Sequence, residues 1–79
     1  MYFKKEERLH KITHYYKQCD GHTVHVGGND LINILNVPDI EDYMFPRVLT
    51  PVSKEEFEAV AHQVLSTITE LALTINLVR

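Results

Sequence analysis

The last third of the chain carries a helical pattern that nothing in its sequence interrupts. No Gly or Pro lies between residues 53 and 79, so neither of the usual helix-ending residues is available there. The stretch opens with a capping box, in which the Ser53 hydroxyl accepts from the Glu56 amide and the Glu56 carboxylate reaches back to the Ser53 N–H. We therefore predict a long amphipathic helix over residues 53–78.

This predicted helix is longer than a domain of this size can cover. A helix of about 25 residues is about 37 Å long, whereas a compact domain of 79 residues is roughly 30 Å across. From Leu71 onward the apolar residues lie all around the helix, which is typical of a helix buried on every side. Apolar residues also occur at every second position here, at Leu71, Leu73, Ile75 and Leu77. This alternation would fit a terminal strand, which we consider the weaker interpretation.

A second copy of the chain is the simplest cover for such a helix, because closed symmetric dimers are the commonest soluble oligomers. The alternative is that other parts of the same chain cover the helix end. We predict a homodimer that packs through apolar residues spaced along the helix. The candidate interface residues are Phe57, Val60, Val64, Ile68, Leu71, Leu73, Ile75, Leu77 and Val78.

The first 28 residues fit either a hairpin or a helix. In the hairpin, β-prone runs at residues 12–16 and 23–26 flank Asp20-Gly21, a pair typical of a type I′ turn. In the helix, several apolar residues share one face and Gly21 provides the C-cap. We favour the hairpin, preceded by a short helix near Phe3 to Leu9.

The middle of the chain predicts a short helix followed by a connector. Gly27-Gly28-Asn29-Asp30 indicates a break and then a helix N-cap, so we place a short helix at residues 29–36. Residues 37–52 contain all three prolines and are predicted to connect it to the long helix. The expected fold is a single α+β domain over residues 1–79, with an all-α fold as the alternative.

Composition excludes several classes of protein. A single cysteine, Cys19, rules out a disulfide scaffold and suggests a reducing cytoplasm. No apolar stretch is long enough to span a membrane, and no signal-peptide core follows the N-terminus. The net charge of −3 disfavours nucleic-acid binding, although a weakly basic N-terminal segment keeps it as an alternative. The basic residues of that segment are Lys4, Lys5, Arg8 and Lys11.

Histidine is the one residue type in excess near the N-terminus. Four of the five histidines lie within 16 residues of one another, and imidazoles gathered in this way suit a metal site or a pH sensor. In the hairpin, His25 lies opposite Tyr16, so equal parity places His10, His14 and His25 on one face. A structural zinc site usually needs two thiolates, so we predict surface histidines with no metal or cofactor. The residues concerned are His10, His14, His22 and His25.

The pattern does not favour catalysis. Cys19 has no base and oxyanion donor placed with it by any motif, and Ser53 is explained as a helix cap. We predict a small, non-catalytic regulatory or inhibitory protein that binds itself and a larger protein target. A histidine-based metal- or pH-sensing module is the first alternative, and a weak nucleic-acid-binding accessory protein is the second.

Overall fold

The structure, a computed structural model, describes residues 1–9, 11–27, 31–43 and 48–76. These residues form one antiparallel sheet with strand order β4-β3-β2-β1-β5 and two helices. The α+β class is therefore confirmed, and the all-α alternative is wrong. The strands are β1 (Tyr2–Glu7), β2 (Ile12–Gln18), β3 (Thr23–Gly27), β4 (Leu31–Leu35) and β5 (Thr50–Pro51), and the helices are α1 (Ile40–Tyr43) and α2 (Lys54–Thr74).

Strands β2 and β3 form the predicted hairpin. Tyr15 lies opposite Val26 and Tyr16 lies opposite His25, as the sequence predicted. The predicted turn type is wrong, because Gly21 has a φ of 83° while Asp20 does not have a positive φ. A type I′ turn needs positive φ at both central residues, and here only the glycine adopts it.

The short helix predicted near Phe3 to Leu9 is wrong, because residues 3–7 lie in strand β1 and a turn follows. The strand pairs with β2 from Tyr2 opposite Lys17 to Glu7 opposite Ile12, and it pairs with β5 on its other side. The backbone hydrogen bonds to strands on both sides outweigh the side-chain pairs at i,i+4 spacing that favour a helix, since each such pair contributes only about 0.2–0.5 kcal/mol.

The short helix predicted at residues 29–36 is also wrong, because residues 31–35 form strand β4. It pairs antiparallel with β3, from Gly27 opposite Leu31 to Thr23 opposite Leu35. A short apolar run fits a strand or a helix equally well, and the neighbouring strand decides between them. The predicted N-cap Asp30 lies outside the described residues.

The sheet is covered unevenly on its two faces. Helix α2 packs across one face over a core of Val26, Phe57 and Val64, together with partly buried residues that include Tyr2 and Tyr15. The other face carries a smaller core. Its members are Phe3, Tyr16, Ile40 and Leu49.

One side chain, Gln18, ties the segment after β4 to the sheet. Its Oε1 accepts from the Ile40 backbone N–H at 2.6 Å, and its Nε2 donates to the Pro38 carbonyl. The buried Thr23 hydroxyl lies 3.2 Å from the same Oε1 and 3.0 Å from the Val37 carbonyl. These hydrogen bonds hold α1 over the smaller core.

Helix α2 starts where the sequence predicted and ends earlier. The Ser53 hydroxyl accepts from the Glu56 N–H at 3.0 Å, which confirms the first hydrogen bond of the predicted capping box, whereas the Glu56 carboxylate lies 3.8 Å from Lys4 Nζ. The helix continues through Leu71 to Thr74, so the terminal-strand alternative is wrong and the predicted end at residue 78 is too late. Among the described residues, no helix combines the length and apolarity that crossing a membrane requires.

Candidate functional site

The apolar side of α2 forms one stripe, defined here as Phe57, Val60, Val64, Ile68, Leu71 and Ile75. Its first half packs on the sheet of the same chain. Phe57 and Val64 are buried, Val60 is partly buried, and the Phe57 ring lies 5.3 Å from the Tyr2 ring on β1. These three residues were predicted to form a dimer interface. In the structure, Phe57 and Val64 belong to the protein's own core, and Val60 packs against it.

The second half of the stripe continues past the sheet. Val64 lines a shallow pocket with Thr13 and Gly27, at the far end of the strands from Tyr2. Beyond this point Leu71 is 61% exposed and Ile75 is 55% exposed.

Two further predicted interface residues, Leu77 and Val78, lie outside the described residues. Leu73 is also half exposed, but two residues of helix place it on nearly the opposite side from Leu71. The exposed part of the stripe therefore consists of Ile68, Leu71 and Ile75.

A chain of polar side chains crosses the other face of the sheet. His14 Nδ1 lies 2.9 Å from His25 Nε2, and His25 Nδ1 lies 2.6 Å from Asn33 Oδ1. At the other end, His14 Nε2 lies 3.5 Å from Glu7 Oε2. We call these four residues the polar ladder, since each comes from a different strand from β1 to β4.

The acceptors at the two ends of the ladder define its protons. Asn33 Oδ1 only accepts, so His25 Nδ1 carries a hydrogen and a neutral His25 accepts at Nε2. His14 Nδ1 then donates to His25, and His14 Nε2 lies beside the Glu7 carboxylate. Burial lowers the pKa of His25, and the charge of His14 adds to this, while the hydrogen bond to Asn33 opposes it.

Ring stacking fixes the position of His25 between its neighbours. Its ring centroid lies 5.1 Å from that of His14 and 5.1 Å from that of Tyr16, with interplanar angles of 27° and 22°. Protonation of His25 would remove the acceptor at its Nε2, which His14 Nδ1 contacts.

The histidine cluster forms only in part. The structure confirms that His14 and His25 share a face, but His22 follows the β2–β3 turn and His10 lies outside the described residues. Among the residues that the structure describes, no three His, Cys, Asp or Glu side chains converge as metal ligands. The Cys19 thiol lies 3.8 Å from the Lys17 carbonyl.

The N-terminal basic residues do not share one surface. Lys4 and Lys5 are adjacent on β1 and so point to opposite faces of the sheet. Lys4 Nζ lies 3.8 Å from a Glu56 carboxylate oxygen and 3.9 Å from a Glu6 oxygen. At the β1–β2 turn, Arg8 and Lys11 line a shallow pocket together with Glu6 and Glu7. This arrangement alternates charges instead of gathering the cations that phosphate binding needs.

Sequence reasoning missed two members of the polar ladder, Glu7 and Asn33. Both residues lie in segments that the sequence analysis assigned to helices. The alternation of side chains between the two faces of a strand, which placed His14 beside His25, does not apply in a helix. Assigning β1 and β4 as strands would have placed all four side chains on one face. Comparison with known proteins finds no family model, no curated protein and no solved structure that matches this chain.

Proposed function

We propose that the protein is a small, non-catalytic regulatory or inhibitory protein that acts by protein–protein binding, as a homodimer through the exposed part of the α2 stripe. The observation that carries this proposal is the continuity of the stripe. One set of side chains at helical spacing is buried at Phe57 and Val64 and exposed at Leu71 and Ile75. The exposed half has the same chemistry as the half that already packs.

The exposed half of α2 suits a second copy of itself. Glu70 is the only charged residue between residues 65 and 76, so pairing two such segments buries few charges. A symmetric interface needs one patch that complements itself, and apolar helix faces pack side by side at about 8–10 Å between axes. In this proposal the protein works in a reducing cytoplasm, where Cys19 remains a thiol, and the dimer binds the larger protein target.

Light scattering tests the α2 contact. We expect a mass of at least twice the 9.2 kDa of one chain, and we expect Leu71→Glu to lower it by placing a charge in the contact. Leu73→Glu is the matched control, because Leu73 is 50% exposed but lies on another side of the helix. A single-chain mass for the wild type, or equal masses for the two variants, would overturn the proposal.

The polar ladder supports a second candidate function, a pH-sensing module. The contact that favours it is the 2.9 Å approach of His14 Nδ1 to His25 Nε2, which needs an unprotonated nitrogen on one of the two rings. Within the described part of the sheet, the titratable or charged groups on the face of His25 are His14, Glu7, Lys5 and Tyr16.

A sensor must change its binding state with pH as well as its stability. We expect the wild-type mass to change between about pH 8 and about pH 5.5, the range in which histidine changes charge. His25→Gln keeps an acceptor but does not titrate, and its mass should stay constant. If both proteins respond alike, or neither responds, the ladder is not a sensor.

A further inference from the structure

The two edges of the sheet differ in their protection against pairing. One edge is β5, which has two residues and ends in Pro51, and short strands and prolines are the usual means of blocking an edge. The other edge is β4, with five residues and no proline. Among the described residues, no strand pairs with the outer side of β4. Such an edge presents backbone donors and acceptors to another chain.

The sequence of β4 is a palindrome. It is Leu31-Ile32-Asn33-Ile34-Leu35, which is the same in both directions. When two copies pair antiparallel about Asn33, Leu lies opposite Leu, Ile opposite Ile and Asn opposite Asn. Each position then meets its own residue type, which is the self-complementarity that a two-fold interface requires.

The side chains of β4 suit this pairing. The strand has no charged residue, so no like charges would face each other across the axis. Ile34 is 64% exposed on the face covered by α2, and the pairing would set it against Ile32 of the second copy. Asn33 belongs to the polar ladder on the opposite face, and its carboxamide offers a donor and an acceptor to the same group across the axis.

We infer that β4 is a self-association edge that pairs antiparallel with β4 of a second copy, with the two-fold axis at Asn33. The two sheets then become one continuous sheet. The polar ladder runs through both copies and meets at the two Asn33 side chains.

This edge is separate from the α2 contact and does not depend on it. A chain with two different self-complementary surfaces assembles beyond a dimer. If both contacts form, a substitution that disrupts one of them leaves a dimer that the other contact holds together. The two proposals therefore fail independently and can be told apart.

Cross-linking tests the register of the pairing. In a Cys19→Ser background, Asn33→Cys places the two thiols directly opposite each other, with Cα atoms about 4.5–5.5 Å apart, within the range that a disulfide spans. Ile34→Cys is the matched control, because its two copies are diagonal neighbours about 7–8 Å apart. We expect mild oxidation to give covalent dimers for Asn33→Cys and monomers for Ile34→Cys. Leu71→Glu, added to the first variant, should leave the cross-link intact.

A second variant tests the edge without touching the polar ladder. Ile34→Lys adds the edge charge that natural sheets use against pairing, at a position already largely exposed. Leu9→Lys is its control, because Leu9 is 85% exposed and lies outside β4. We expect Ile34→Lys alone to lower the mass by light scattering. The inference is overturned if Asn33→Cys fails to cross-link, if both cysteine variants cross-link equally, or if Ile34→Lys leaves the mass unchanged.

Discussion

His14 Nδ1 and His25 Nε2 lie 2.9 Å apart across strands β2 and β3, so one ring must donate and the other accept. Burial lowers the pKa of His25 below the 6.5 of a free histidine. Between that lowered pKa and pH 6.5 the unfolded chain binds more protons than the folded chain. We therefore expect the stability from His25 to be present above about pH 6.5 and to be lost as the pH falls through this window.

Urea unfolding at a series of pH values measures this dependence. His25→Gln should flatten the fall in the unfolding midpoint, because glutamine does not titrate. His62→Gln is the control, since His62 is exposed on α2, and it should follow the wild type. A steep fall that persists in His25→Gln would assign the pH dependence to another group.

Gln18 joins the end of β2 to α1, and its loss should be costly. We expect Gln18→Met to lower the free energy of unfolding by about 1–3 kcal/mol, because a buried group left without its partner costs that much. The Ile40 N–H loses its 2.6 Å acceptor in this variant. Gln63→Met, at an exposed position of α2, is the control and should stay within about 0.5 kcal/mol of the wild type. Equal costs at the two positions would show that the Gln18 hydrogen bonds contribute nothing specific.

Local signals in the sequence determined the parts of the fold that could be predicted. Asp20-Gly21 between two β-prone runs was enough to predict the β2–β3 hairpin and its register, because a two-residue turn fixes which residues pair. The cap at Ser53 located the start of α2 for the same reason. Both features depend only on residues close together in the chain.

The remaining strands depend on partners that the local sequence does not reveal. β1 carries four consecutive charged residues, Lys4 to Glu7, which look helical until β2 and β5 are known to pair with it. β4 is an apolar run whose period is ambiguous until β3 lies beside it. The polar ladder was incomplete in the sequence analysis for the same reason, since Glu7 and Asn33 lie on those two strands.

The cap of α2 provides a direct measure of local helix stability. Ser53→Ala removes the hydroxyl that accepts from the Glu56 N–H at 3.0 Å. We expect the free energy of unfolding to fall by about 1 kcal/mol. Ser66→Ala, at an exposed mid-helix site, should be neutral or slightly stabilising because alanine favours helices. A Ser53→Ala protein as stable as the wild type would mean that water satisfies the N-terminus equally well.

Substitutions in the two halves of the α2 stripe should differ in whether their effect on stability depends on protein concentration. Phe57 is buried against Tyr2, so we expect Phe57→Ala to lower the free energy of unfolding by about 3–5 kcal/mol at every concentration. Leu71→Ala should cost less than about 0.5 kcal/mol in dilute solution, where the side chain meets water. At high concentration the wild type should gain stability from association, and Leu71→Ala should reduce that gain. Urea unfolding over a wide concentration range measures both effects. If the wild-type midpoint does not move with concentration, the exposed half of the stripe does not hold two copies together.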